Sequence, residues 1–373
     1  MSDRSILLRL HLSRAAKILL LLAALAATAL ATLVVMSAIA DFWPRPHATP
    51  PGRLRMAILG DSNSHSYQDR VLLPQPNLRG GPNRAQTWQW TEVLDRLRGA
   101  YFDQGTMGIW GTRIKLAEAL DWLGAGGRAP RKQDFRFNFA VTGAECEDLM
   151  TGYYRQAPRL LSVMRRDPDQ WRDALVVIRI GVNSIGQPPA LEQYARDGLT
   201  AAARGKIDGC VAAIRAAVDL IRHDFPTTRF ILAGMLNGMN EPGAIHRWQT
   251  KPETDRIMEA VNRFDDGLRQ IAHANPRFAF FDEQAWMRKH WGDRDAAGKP
   301  AYREVELAGG MKVTLTIGDA PNHAVVADEH AGTVWNALWA QQFITLLNAQ
   351  FGTAIPPLSA EEIASVVNRP VNP

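Results

Sequence analysis

Beyond residue 54 the hydrophobic positions switch repeatedly between strand and helix spacing. Residues 55–59, RMAIL, are a short apolar strand candidate, and 87–99 place Trp90, Val93, Leu94 and Leu97 on one helical face. Residues 135–141, FRFNFAV, alternate as a strand does, and 174–181, ALVVIRIG, read as a strand of the fully apolar type. A helix over 207–225, a strand over 228–234, a helix over 253–274, a strand over 278–282 and an amphipathic helix over 334–351 follow. One stretch breaks the alternation: 302–317 reads as a hairpin turning at Ala308-Gly309-Gly310. Parallel strands need helical crossovers, and right-handed crossovers place helices on both faces of the sheet. The pattern therefore predicts an α/β fold, a three-layer α/β/α sandwich with a mostly parallel sheet. It gives one domain over 54–352 and a loosely ordered, proline-bearing tail over 353–373.

The N-terminal forty residues follow a different rule. Arg4, Arg9, Arg14 and Lys17 precede an uncharged run over 18–40. That length suits a transmembrane helix, and the basic flank over 1–17 predicts a cytoplasmic N-terminus. Ala38-Ile39-Ala40 is also a small-x-small cleavage pattern, so a signal peptide competes. The run exceeds the usual signal-peptide core, which favours an uncleaved signal anchor. Residues 41–53 form a proline-rich linker. The anchor reading makes the domain periplasmic or extracytoplasmic on a bacterial-type cell membrane, and the cleaved reading makes it secreted.

Composition narrows the classes. The 373 residues are 46% hydrophobic and 22% charged, the balance of a globular protein. The net charge of +5 is spread over scattered arginines with no nucleic-acid motif, so no nucleic acid partner is expected. The two cysteines, Cys146 and Cys210, lack metal-binding spacing. They could pair in an oxidising compartment, but two buried free thiols are the expected state, because sequence supplies no geometry for a bridge.

In an open parallel sheet, reactive groups collect at the carboxyl ends of the strands. The first strand ends in Gly60-Asp61-Ser62, the second runs on to Gly143, and the third runs on to Gly181-Val182-Asn183. The last helix is preceded by VVADEHAGT, which holds Asp328 and His330. A serine hydroxyl needs an imidazole to take its proton, and the resulting oxyanion needs donors already in place. The order GDS, Gly, GxN and a C-terminal His near an Asp resembles the SGNH or GDSL-type serine hydrolases across most of 60–330. The resemblance implies a flavodoxin-like form of the sandwich, with Ser62 as nucleophile and His330 as base. It also implies oxyanion donors from the Ser62 and Gly143 N–H groups and the Asn183 amide, and no cofactor or metal. Two positions depart from the family pattern. Ser184 stands where the third block has aspartate, and Ala327 stands where a DxxH spacing would put the acid. Asp328 is then the expected acid, with Asp319 as fallback and a Ser-His dyad as the remaining option.

Other chemistries fit less well. Asp61, His65, Asp69, His323, Asp328 and His330 make the donor inventory of a metallophosphoesterase, but Asp61 to His65 is too long for its opening motif and no Gly-Asn-His follows. His65 reads as a loop histidine lining a cleft, and His323 as structural or substrate-facing. Trp88, Trp90, Trp335 and Trp339 fall at core spacing, whereas Trp110 and Trp122 are candidates for stacking on a sugar. The segment 66–86 is long for a strand-to-helix connection. Its Arg70, Arg79 and Arg84 either receive an anionic or polar substrate or belong to a solvated loop. The expected activity is hydrolysis of an acetyl or other short acyl ester, on a small molecule or a glycan, through an acyl-enzyme. An O-acyltransferase using the same site and a non-catalytic glycan-binding scaffold are the alternatives.

Overall fold

The computed structural model describes residues 14–42, 49–50, 52–122 and 127–367, in two units, Met1–His47 and Ala48–Pro373. In the first unit, α1 (Arg14–Phe42) is one continuous helix. Among the described residues no helix is long and apolar enough to cross a membrane, so the transmembrane expectation for 18–40 gains no support there. The basic segment before residue 14, the linker residues 43–48 and 51, and the tail beyond 367 lie outside the described residues, as do the side chains of 30, 31 and 33–42.

The second unit is built on five parallel strands: β1 (Leu54–Gly60), β2 (Phe102–Asp103), β3 (Leu175–Arg179), β4 (Arg229–Ala233) and β5 (Phe278–Phe281). Their order is β2-β1-β3-β4-β5. Successive side chains point to opposite faces, and both faces are buried, which is why the strands read as continuous apolar runs. Ala57, Leu59, Val176, Ile178, Phe230 and Leu232 enter one core. Met56, Ile58, Val177, Ile231 and Ala233 enter the other. Helices α2 (Trp90–Arg98) and α5 (Thr333–Phe351) cover the second face, and α3 (Ala201–Asp224) and α4 (Lys251–His273) the first. The three-layer sandwich expected from the pattern is the architecture observed.

Three local expectations are corrected. Helix α5 is not amphipathic: Thr333 through Ala340 are all buried, because α2 and α6 (Ala360–Val367) pack around it. That last helix lies in the tail expected to be loose. It buries Ile363, Ala364, Val366 and Val367, and Arg98 grips Glu362 with two 2.7 Å bonds. The hairpin over 302–317 does turn at Gly309-Gly310, but its second strand, Lys312–Ile317, also pairs in parallel with His323–Val325.

The segment over 135–141 matters most for the site. Lys132–Phe135 pairs with Met107–Trp110, and the chain then runs beside β1. Bonds join Ile58 N–H to the Phe137 carbonyl (3.1 Å), Phe139 N–H to Ile58 (2.7 Å) and Val141 N–H to Gly60 (3.0 Å). On its other side β1 pairs with β3 through Gly60 opposite Arg179. A Cβ at residue 60 would sit 2.2 Å from the Arg179 carbonyl oxygen, so only glycine allows the strands to approach this closely.

The two cysteines are not free thiols; Cys146 and Cys210 form a disulfide, with Cα atoms 5.1 Å apart. The bridge ties the segment just after the Gly143 turn to α3. It closes a loop of sequence separation 64, for which chain entropy sets a contribution of about 4 kcal/mol as an upper value. The double variant Cys146→Ser/Cys210→Ser should therefore unfold at clearly lower urea concentration than the parent. Coincident unfolding curves would contradict this.

Candidate active site

The nucleophile candidate sits where β1 ends. Asp61 accepts N–H bonds from Ser64 (3.1 Å) and His65 (3.2 Å) on its carbonyl, and from Asn63 (2.9 Å) on its carboxylate. This Asx-type turn is what Asp at a strand end favours, and it lifts Ser62 out at the carboxyl edge of the sheet. Burial pushes the Asp61 carboxyl up to about 6, against the pull of the Asn63 amide and Arg179. Among the described residues neither the Ser62 N–H nor its Oγ makes a hydrogen bond.

Gly143 lies two residues beyond Val141, which bonds Gly60, in a four-residue turn closed by Ala144 N–H to Val141 (3.0 Å). Its φ of 80° is what the third position of a type II turn needs, and nothing lies within 4 Å of where a Cβ would be. Its N–H also has no acceptor among the described residues. Asn183 follows β3, and its amide donates one bond to the Ala144 carbonyl at 2.8 Å, leaving a second N–H. Ser184, in the place of the usual aspartate, accepts the Cys146 N–H at 2.9 Å. The Gly143 turn and the Asn183 loop are thus fastened together.

His330 closes a tight hairpin. Glu329 N–H bonds to Val326 (2.9 Å), Val326 N–H bonds to His330 (2.8 Å), and Glu329 has φ 61°. This is a three-residue loop with its last residue in the left-handed region. In such a loop the His330 Nδ1 reaches the Asp328 main-chain carbonyl at 2.8 Å, whereas Asp328 Oδ1 lies 3.4 Å away. Asp328 Oδ2 faces Arg79, which gives it a backbone N–H (3.0 Å) and a guanidinium N–H (2.5 Å). Burial works against the Asp328 carboxylate, yet His330 and Arg79 hold it well below the usual carboxylate range. Arg79 Nη1 is also 2.6 Å from His330 Nδ1, but a guanidinium can only donate. Nδ1 thus meets an acceptor, the Asp328 carbonyl, and a donor, the Arg79 guanidinium; with the proton on Nδ1 directed to the carbonyl, Arg79 directs its own protons to the carboxylate and Nε2 keeps its lone pair. No bond joins His330 to Ser62; bonds of that kind often close only around substrate. Asp319 does not reach His330. Its carboxylate accepts the Ala327 N–H at 3.0 Å and so holds the hairpin.

Several residues behave differently from their sequence reading. His65 lines no cleft: it is fully buried, bonded through Nε2 to Asp69 (2.8 Å), with Nδ1 against Thr142 Oγ1 (2.8 Å) and N–H (3.2 Å). Burial, with Lys132 nearby, lowers its basicity. Arg79 and Arg84 are not a solvated loop. Arg84 is buried and spends its guanidinium on the carbonyls of Tyr67, Leu73, Gln75 and Asp69. Only Arg70 is exposed. His323 bonds Thr316 Oγ1 at 2.7 Å. Trp122 is 86% exposed, and Trp110 carries the Arg136 guanidinium on its face. Among the described residues no three His, Cys, Asp or Glu side chains are placed to hold a metal ion.

Two supporting residues give no signal in the sequence. Gln156 bonds both the N–H (2.7 Å) and the carbonyl (2.8 Å) of Gly60, finishing the end of β1. Tyr67 donates to the Ala331 carbonyl at 2.9 Å, pinning the His330 hairpin to the loop leaving Ser62.

Ser62, Gly143 and Asn183 thus follow neighbouring segments at the carboxyl edge of a parallel sheet, and the loop that carries His330 is tied to them through Tyr67 and Arg79. The chain matches the family model GDSL-like Lipase/Acylhydrolase over residues 56–282, more than half its length. It belongs to that family and is an ester hydrolase. The match ends before Asp328 and His330. No curated protein matches the chain. Among solved structures it is similar to the extracellular lipase of Streptomyces rimosus, at 15% identity over 66% of this chain and 86% of that one, TM-score 0.34. It is similar to phospholipase A1 of Streptomyces albidoflavus at 13% identity, covering 80% and 99%, TM-score 0.37. A carbohydrate esterase family 2 enzyme of Corynascus thermopiles (Myceliophthora fergusii) shares 16% identity, covering 83% and 69%, TM-score 0.35. At these scores the three structures add nothing to what the family match carries.

The Asp328 environment has a consequence for stability. A carboxyl held below its unfolded value stabilises the fold above the ordinary aspartate range, and that stabilisation is lost as pH falls. The melting temperature of the parent should drop more steeply than that of Asp328→Asn between about pH 5 and about pH 3. Parallel melting curves across that window would rule out the ion pair with Arg79.

Proposed function

We propose that the chain hydrolyses a short acyl ester through an acyl-enzyme on Ser62. The observation that carries this reading is that the Ser62 and Gly143 N–H groups and the Ser62 hydroxyl all lack partners among the described residues, on two segments that leave the sheet together where Val141 bonds Gly60. His330 Nε2 takes the proton from Ser62 Oγ as it attacks the carbonyl carbon. The oxyanion forms against the Ser62 and Gly143 N–H groups and the second Asn183 N–H. Collapse expels the alcohol, which receives its proton from His330. Water, activated by the same imidazole, then releases the acid. The Nδ1 bond to the Asp328 carbonyl holds the ring in the tautomer this needs.

A polar or glycan carrier for the acyl group is supported by the rim, where Glu145 and Gln187 are exposed and Thr142 and Asn183 half-buried. Fold alone does not choose it. Ser62→Ala should abolish hydrolysis of aryl acetates and labelling by a serine-directed phosphonate. Asn183→Ala should cost about 10²–10³ in kcat, the loss expected for one oxyanion donor. Retained turnover in Ser62→Ala would end this reading.

Tethering to a membrane through 18–40, with the catalytic unit outside the cytoplasm, belongs to the same proposal. It is supported by the absence of charge in that run and by the exposure of Ile18, Leu19, Leu20, Leu21, Leu22 and Leu25 on α1. The full chain should sediment with membranes and resist an alkaline carbonate wash. Release into the wash would remove the anchor from the proposal.

A further inference from the structure

Arg79 is a buried cation with no role in the scheme above. It is 2% exposed and stands at φ 56°, a left-handed backbone that a non-glycine residue seldom adopts. Strain of that kind persists where surrounding contacts demand it, and it gathers at functional sites. Here the contacts are plain. The Arg79 N–H and Nη1 both hold Asp328 Oδ2, in the hairpin that carries His330. Nη2 reaches Thr142 Oγ1 at 3.4 Å, in the turn that presents Gly143. The Tyr67 ring lies 5.4 Å below the guanidinium, and the Tyr67 hydroxyl binds the Ala331 carbonyl next to His330.

We infer that Arg79 is a positioning residue that ties the His330 hairpin to the Thr142–Gly143 turn, so that one side chain sets the distance between base and oxyanion donor. The two halves come from opposite ends of the domain, and their other fastenings run to different partners. The turn is held by His65 and by Asn183, and the hairpin by Tyr67 and Asp319. Only the guanidinium, among these, touches both. Its Nε is buried without a partner, so its hold is exerted through the backbone N–H and the two terminal nitrogens. A lysine could keep the pair with Asp328 but has no second, divergent nitrogen for Thr142.

The inference rests on the roles proposed for Ser62, His330 and Gly143, and its test separates the two. With the full chain in detergent and an aryl acetate as substrate, Arg79→Ala should lose about 10–100-fold in kcat, the scale of a misplaced catalytic group, with KM within about threefold. Added methylguanidinium should restore part of that kcat, and Arg79→Lys should fall between. If Arg79→Ala does not fold, Arg79→Lys and Thr142→Val carry the test, each expected to lower kcat more than it raises KM. A folded Arg79→Ala with parental or higher kcat, or a loss that methylguanidinium leaves untouched, overturns the inference while Ser62-dependent turnover stands. Turnover in Ser62→Ala equal to the parent's overturns the site assignment and the inference together.

Discussion

The site depends on β1 being hydrogen-bonded along both edges to its last residue. Val141 and Arg179 flank Gly60 on either side, and the side chain of Gln156 completes its N–H and carbonyl. Three chain segments therefore leave the sheet at one level: Asp61-Ser62, Thr142-Gly143 and Gly181-Val182-Asn183. A shift of one residue in either pairing would turn every side chain to the other face of the sheet, so the two buried cores fix the register. The donors are positioned by the same packing that holds the fold together.

Behind that edge the chain uses buried charge where apolar packing would give no direction. Lys132 bonds Asp134 and the Ala140 carbonyl, and burial brings its amine down to about 8. Glu92 accepts from Ser66, Gln68 and Gln89, and burial pushes it up to about 7. His65 and Asp69 join these to Thr142. Leaving such groups unpaired would cost far more than the net gain from pairing them, so each bond is obligatory and the loop has one arrangement. Apolar side chains would bury as well but would leave the angle of the Gly143 N–H unspecified.

The strands and helices were legible because their periods are. The runs at 55–59, 174–181 and 228–234 fall within a residue or two of β1, β3 and β4, since strands buried on both faces are mostly apolar, with arginine only near their ends. The tail failed because α6 is short and its apolar face is recognisable only once α5 is there to receive it. The disulfide failed because sequence holds no distance. Arg79 was visible as an arginine in a long loop but not as a buried one: what fixes it is Asp328, a partner 249 residues away.

The acid shows the same limit most sharply. Ala327 occupies the position where a DxxH spacing would put a carboxylate, which makes the sequence look defective. What the proposed chemistry requires is an acceptor for the His330 Nδ1 proton, held at one angle. A three-residue hairpin loop supplies one from the main chain, because its closing bonds bring the Asp328 carbonyl under the ring at 2.8 Å. The Asp328 carboxylate is then released to pair with Arg79 and acts on the imidazole from the longer distance of 3.4 Å. Moving the aspartate one residue closer to the histidine thus divides one task between two groups. The carbonyl orients the ring, and the carboxylate anchors the loop that carries it.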